Sequence, residues 1–182
     1  MIFNTVSMKM IQYFINNPYD QIHLRELSRR LKISIYSTKK ISDEFVNQQL
    51  LIEKKQGNQR VFQANIENQF FKQLKIAFSI KKIQDSGIIK YLEKQIPAIS
   101  SIVLYGSTAQ GTDDEKSDID ILIIGQKTRI DISNFEKLIN KEINLLIMKW
   151  SEWRIHSEKN KPFYREILKD GISLLGEIPV IE

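Results

Sequence analysis

The chain has 182 residues, of which 42% are hydrophobic and 27% are charged, the balance of a globular protein with room for two small domains. It contains no cysteine and two histidines, which excludes disulfide scaffolds, cysteine-ligated zinc and sites built from several histidines. No apolar run approaches the length of a membrane span and the N-terminus lacks the features of a signal peptide, so we expect a cytoplasmic protein that does not enter a membrane.

Charge is distributed unevenly along the chain. Residues 1–66 carry a net charge of +5, residues 67–95 carry +3 and residues 96–182 carry −3. A basic front half favours contact with a polyanion, whereas an acidic back half favours a site that needs carboxylates. The alternative explanation is that both charged regions are simply solvated faces.

The first 66 residues predict a helix, a second helix, a tight turn, a third helix and a hairpin, in that order. Ser34 stands where the third helix needs an N-cap. Residues 51–55 and 60–64 read as two strands, and Gly57 lies in the turn between them.

This order of elements, together with the segment HLRELSRRLKIS over residues 23–34, resembles the winged helix-turn-helix family. The resemblance implies that the third helix enters the major groove of double-stranded DNA and that the hairpin approaches the phosphates. The candidate DNA-binding residues are Arg29, Arg30, Tyr36, Ser37, Lys39, Lys40, Lys54, Lys55 and Arg60. Such domains also serve as protein-interaction or dimerisation modules, and this alternative stays open.

Residues 67–95 carry apolar and aromatic residues at helical spacing, with an interruption at Gly87. This pattern predicts an ordered helical connector. An aromatic stripe of this kind favours packing or the seam of a homodimer over a ligand site.

The segment from residue 96 onward contains the motif with the clearest chemistry. A β-branched strand runs directly into Gly106 and Ser107, and the next apolar strand begins with Asp118 and Asp120. Gly106 lets the backbone approach a ligand closely, and the two aspartates project from one face of their strand. Two carboxylates that close together need a cation between them. Oxygen ligands alone favour Mg²⁺, with Mn²⁺ as a substitute.

The strand, Gly-Ser turn and Asp-x-Asp strand resemble the nucleotidyltransferase superfamily of polymerase-β type, and within it the minimal nucleotidyltransferases. The resemblance implies an α/β (α+β) nucleotidyltransferase fold, with a mixed sheet flanked by helices. It also implies that Gly106 and Ser107 bind the triphosphate of an NTP, for which ATP is expected, and that Asp118 and Asp120 hold the metal.

The family's third carboxylate is expected on the strand over residues 142–148, where Asn144 occupies the best-matching position. An amide neither balances the charge of a metal nor accepts a proton. Glu142 lies two residues earlier on the same face and is the candidate catalytic carboxylate in its place. The acidic run over residues 113–115, between the two motif halves, is expected to be exposed.

The sequence therefore predicts a winged helix over 1–66, a connector over 67–95 and a nucleotidyltransferase domain over 96–182. The predicted reaction transfers a nucleoside monophosphate from an NTP to an acceptor hydroxyl. The resemblance implies that this acceptor can be a partner protein, as in toxin–antitoxin pairs. The alternative is a DNA-binding regulator or antitoxin whose nucleotidyltransferase domain is catalytically weak and senses nucleotide or mediates dimerisation.

Overall fold

The computed structural model describes residues 5–181, which divide into one compact unit ending at Leu74 and a second beginning at Lys75. The division falls inside a long helix, α4, which spans Gln69–Ser86. The predicted three-way division of the chain stays a prediction. No helix within the described residues is long and apolar enough to cross a bilayer.

The described part of the first unit combines helices with an antiparallel sheet in the order β1-β3-β2. The tip of its β2–β3 hairpin is a two-residue loop that starts at Gly57, whose φ is +60°. Ser34 caps the third helix as predicted, because its Oγ accepts a hydrogen bond from the backbone N–H of Ser37 at 3.1 Å. The elements are α1 (Thr5–Asn16), β1 (Ile22–His23), α2 (Leu24–Leu31), α3 (Ile35–Asn47), β2 (Leu51–Gln56) and β3 (Gln59–Ala64).

The second unit is built on a four-stranded sheet in the order β6-β5-β4-β7. β5 and β6 are parallel, whereas β4 is antiparallel to both of its neighbours, so the sheet is mixed as predicted. The elements that follow α4 are α5 (Ile88–Gln95), β4 (Ser101–Tyr105), α6 (Gly106–Gln110), β5 (Ile119–Ile124), α7 (Ser133–Ile139), β6 (Ile143–Met148), α8 (Trp150–Lys159), α9 (Lys161–Asp170) and β7 (Ile172–Gly176).

Helices cover both faces of this sheet. Alternate residues of its central strands point in opposite directions, and on each face they pack in an apolar cluster. Ile102 and Leu104 of β4 belong to one apolar cluster, which includes Ile88 and Leu92 of α5. Val103 of β4 belongs to the cluster on the other face, with side chains from α8 and α9. Burial on both sides explains why β4 and β5 read as continuous apolar runs rather than as alternating strands.

Candidate active site

The turn after β4 brings the backbone directly against a carboxylate of β5. Gly106 has a φ of +70°, and a Cβ at this position would lie 2.6 Å from Oδ2 of Asp120. Only glycine fits both the left-handed backbone conformation and the contact. Ser107 follows in the first turn of α6, and its backbone oxygen accepts a hydrogen bond from the N–H of Thr112 at 3.0 Å.

Strand register places the two predicted aspartates beside this turn. Tyr105, the last residue of β4, lies opposite Asp120 in the antiparallel ladder. Asp118 precedes β5 by one residue, and its backbone oxygen accepts a hydrogen bond from Oγ1 of the buried Thr108 at 3.3 Å. The structure therefore brings together Gly106, Asp118 and Asp120.

Asn144 joins the two aspartates from the neighbouring strand. It lies directly opposite Asp120 in the parallel β5–β6 ladder. Its Nδ2 donates hydrogen bonds to Oδ2 of Asp118 and to Oδ1 of Asp120, each at 3.1 Å. Both carboxylates therefore converge on one atom, Nδ2 of Asn144.

The donor set at this point fits a hard divalent cation. Mg²⁺ is bound through one or two carboxylates together with substrate phosphates, and oxygen donors are its preferred ligands. Asp118 and Asp120 supply the two carboxylates, and rotation of the Asn144 amide would present its oxygen instead of its nitrogen. Residues 5–181 contain no group of three or more His, Cys, Asp or Glu side chains with the spacing of a metal site. Asp118 and Asp120 are therefore the two charged ligands that the described residues offer to a cation here.

Tyr105 is a site residue that sequence reasoning missed. Burial raises the pKa of its hydroxyl to about 12, and the charges of Asp120 and Glu166 add to the effect. The phenol therefore stays protonated at neutral pH. The available signal was its position, since the last residue of the strand before the Gly106 turn faces the same side as its cross-strand partner, Asp120.

A cleft of about 600 Å³ opens beside Asp118, at the end of the sheet where β5 and β6 begin. Glu142 lies just before β6, is exposed and lines this cleft, while its backbone oxygen accepts a hydrogen bond from the N–H of Ile119 at 2.9 Å. Its catalytic role stays a prediction. The lining residues are Glu115, Lys116, Ser117, Asp118, Ser133, Glu136, Lys137, Asn140, Lys141 and Glu142.

The expectation that the acidic run over residues 113–115 is exposed is wrong for Asp113. Its side chain is 8% exposed, and its carboxylate lies 3.1 Å from Nζ of Lys75 and 2.6 Å from Nζ of Lys141. Lys141 also donates to the backbone oxygen of Asp114 at 2.8 Å. This ion-pair cluster fixes the loop between the two motif halves. Nothing in the local sequence signals it, because the two lysines lie 38 and 28 positions away from Asp113.

The candidate DNA-binding residues fall into three groups according to their surroundings. Tyr36 is 76% exposed, and the lysines at 39, 40, 54 and 55 are exposed as well. The three arginines instead contact carboxylates of their own unit: Arg29 and Arg30 contact Glu26, while Arg60 contacts Glu53 at 2.6 Å and Asp43 at 2.5 Å. Ser37 is half-buried at the start of α3, where its N–H is used by the cap. DNA contact stays a prediction for all nine residues.

Comparison with curated proteins shows a likeness to an enzyme that modifies proteins. The protein adenylyltransferase MntA of Shewanella oneidensis is 37% identical over 57 residues, which cover 31% of this chain and 41% of that protein. The match therefore spans less than half of the relative's length.

Two solved structures show a more distant likeness. A toxin–antitoxin structure with AMP-PNP is 25% identical, with a TM-score of 0.37 over 50% of this chain and 71% of that one. A mutant of the toxin–antitoxin MntA-HpeT is 23% identical, with a TM-score of 0.38 over 50% of this chain and 72% of that one. Both TM-scores are low, so neither structure supports an inference about this chain.

A family model described as polymerase beta, nucleotidyltransferase matches residues 86–177. These residues include the Gly106 turn, both aspartates, Asn144 and Glu142, and they begin inside the segment that the sequence predicts to be the connector. They make up just over half of the chain. The chain therefore belongs to the polymerase beta nucleotidyltransferase family.

Proposed function

We propose that this protein transfers a nucleoside monophosphate from an NTP to an acceptor hydroxyl, releasing pyrophosphate. The observation that carries the proposal is the convergence of Asp118 and Asp120 on one point, directly against the Gly106 turn. Two carboxylates aimed at one point beside a close-approach glycine suit a cation held between protein and triphosphate.

Asp118 and Asp120 would hold Mg²⁺, with Mn²⁺ as a substitute, and Ser107 would contact the triphosphate beside Gly106. The cation, when bound, offsets the charge that develops on the phosphoryl oxygens. Thr108 fixes the start of β5 through its bond to the backbone of Asp118, which keeps the two aspartates in place relative to α6.

Glu142 would take the proton of the acceptor hydroxyl. It is a carboxylate that lines the same cleft as Asp118, whereas Asn144 has no basic group to offer. The cleft, at about 600 Å³, is large enough for a side chain and its flanking residues. We therefore place the acceptor in this cleft.

The acceptor class we favour is a hydroxyl-bearing side chain of a partner protein, and the nucleotide we favour is ATP. The relative from Shewanella oneidensis is named a protein adenylyltransferase, and its match to this chain supports that choice.

The test is Mg²⁺-dependent transfer of radiolabel from α-labelled ATP to protein. The acceptors offered are the soluble proteins of the organism that encodes this chain. We expect labelled bands with the wild type, loss of labelling in Asp118→Asn, and a large decrease in Glu142→Gln. Asp85→Asn is the matched control, because Asp85 is an exposed residue of α4 that pairs with Lys81. Equal labelling by wild type and Asp118→Asn contradicts the proposal.

A second proposed function is supported by the first unit, which we interpret as a winged helix that binds double-stranded DNA. The specific observation is that α3 follows a tight turn, begins at a Ser34 cap and leaves Tyr36, Lys39 and Lys40 exposed. In this interpretation the protein is a DNA-binding regulator or antitoxin, and its second unit senses nucleotide or mediates dimerisation.

Two measurements distinguish the two functions: release of pyrophosphate and the salt dependence of DNA binding. A regulator binds NTP and DNA without releasing pyrophosphate, whereas a transferase releases one pyrophosphate for each label transferred. DNA binding through lysines weakens steeply as salt rises, because phosphate contacts release counterions. No binding to random duplex at low salt contradicts the DNA-binding proposal.

A further inference from the structure

The amide of Asn144 satisfies two carboxylates at once. Its single nitrogen carries two N–H groups, and one goes to Asp118 and the other to Asp120, both at 3.1 Å. Two like charges that would otherwise repel each other are thereby held close together. The contact is not accidental, because strand register sets Asn144 opposite Asp120.

We infer that Asn144 holds Asp118 and Asp120 in an amide-bridged resting state, which a divalent cation enters only together with the triphosphate of the nucleotide. The inference rests on the proposed nucleotide-binding function. It assigns to Asn144 a positioning role: the residue makes binding of the cation depend on the nucleotide.

Charge explains why a free cation does not displace the bridge. The donor set carries a charge of −2, and a third acidic, histidine or cysteine ligand does not complete it within residues 5–181. A free Mg²⁺ ion must lose tightly held water and displace both hydrogen bonds that the Asn144 amide donates. In exchange it gains only two carboxylate ligands. The affinity for a cation depends on the number of charged ligands, so this exchange is weakly favourable at best.

A triphosphate that carries the cation would supply oxygen ligands and negative charge. Asp118 and Asp120 would then hold the cation from the protein side, and the Asn144 amide would present its oxygen instead of its nitrogen. The missing Cβ of Gly106 matters here, since a Cβ at that position would lie 2.6 Å from Oδ2 of Asp120 and would press on this carboxylate.

Free Mn²⁺ titrated against the protein, followed by electron paramagnetic resonance, tests this inference. We expect no saturable binding to the wild type below about 1 mM, the weak end of carboxylate sites. Asn144→Asp replaces two N–H donors with a third carboxylate, and we expect it to bind free Mn²⁺ about tenfold more tightly or better. Asn134→Asp, which adds the same charge at an exposed position of α7, is the control and should behave as the wild type.

A second measurement on the wild type keeps the test independent of how the variant folds. The side-chain amide resonance of Asn144 should stay unchanged when Mg²⁺ alone is added at about 1 mM. It should shift when Mg²⁺ and a non-hydrolysable NTP analogue are added together, and not with analogue plus a chelator.

The outcomes distinguish the inference from the proposed function. A shift with Mg²⁺ alone, or equal Mn²⁺ affinity of wild type and Asn144→Asp, overturns the inference even if label transfer is observed. A shift only with the Mg²⁺–analogue complex supports the inference even if no acceptor is ever labelled, in which case the proposed transfer fails alone. No shift under any condition overturns the inference.

Discussion

Replacing Asp113 by asparagine should destabilise the second unit far more than its position in a loop suggests. Asp113 is the carboxylate between Lys75, whose side chain is 5% exposed, and Lys141, whose side chain is 17% exposed. The Asp113→Asn substitution would keep the shape of the side chain and its ability to accept a hydrogen bond, but it would leave two shielded ammonium groups without a counter-charge.

The size of the loss follows from burial. Removing one partner of a buried ion pair costs about 3–5 kcal/mol, because the remaining charge is uncompensated. We expect the lower end, about 3 kcal/mol, because Lys141 is partly solvated and keeps its bond to the backbone oxygen of Asp114. With a urea m-value of about 2 kcal/mol/M, the unfolding midpoint falls by about 1.5 M.

Tryptophan fluorescence during urea unfolding measures this loss in the relevant unit alone. Both tryptophans, Trp150 and Trp153, lie in α8, and the second is fully buried. Asp85→Asn serves as the control, because it removes an exposed pair with Lys81 and should cost no more than about 0.5 kcal/mol. If Asp113→Asn costs no more than this control, the ion-pair cluster does not stabilise the loop and the reasoning is refuted.

Three further predictions address the turn, the first unit and the site tyrosine. Gly106→Ala should abolish label transfer and lower the free energy of unfolding. Gly57→Ala is the control, because Gly57 has a similar positive φ but nothing lies within 4 Å of an added Cβ. The control should cost about 1 kcal/mol in urea unfolding and leave label transfer intact. Lys39→Gln should weaken duplex binding more than Arg60→Gln in a fluorescence-anisotropy titration, since Arg60 is already paired with carboxylates; equal losses would contradict this. The pKa of Tyr105 is raised in the folded protein to about 12. The protonated phenol therefore contributes its full stability below about pH 10, and this contribution is lost as the pH rises toward 12. Tyr105→Phe should reduce the loss of stability at alkaline pH, as measured by tryptophan fluorescence.

Local patterns made the path of the chain through the site predictable. Gly106 directly follows an apolar strand, and Asp118 and Asp120 stand at the start of the next apolar strand, so each motif lies within a few consecutive residues. Ser34 was predictable as a cap for the same reason, since its acceptor serves an N–H three residues away. The mixed sheet in the second unit follows from the family resemblance of these motifs and is confirmed.

What depends on distant partners was not predictable. Strand β7 (Ile172–Gly176) forms the edge of the sheet by pairing with β4, and its short sequence carries no alternation that would identify it. The helix α8 (Trp150–Lys159) mixes polar and apolar residues without a clean stripe. Trp153 is buried against distant residues, and its ring N–H donates to the backbone oxygen of Pro179 at 2.8 Å. Burial of Asp113 likewise depends on lysines that only the fold brings near.

The two proposed functions place different demands on the residues around Asp118. A nucleotide sensor needs only reversible occupancy, for which two carboxylates and the phosphates of the ligand suffice. A transferase also needs a group that accepts the proton of the attacking hydroxyl, and the amide of Asn144 has no basic atom for that task. Glu142 lines the cleft with Asp118 and is a carboxylate, so catalysis depends on Glu142 in a way that nucleotide binding does not. Loss of transfer with retained nucleotide binding in Glu142→Gln is thus the signature of an enzyme, and an effect on neither is the signature of a sensor.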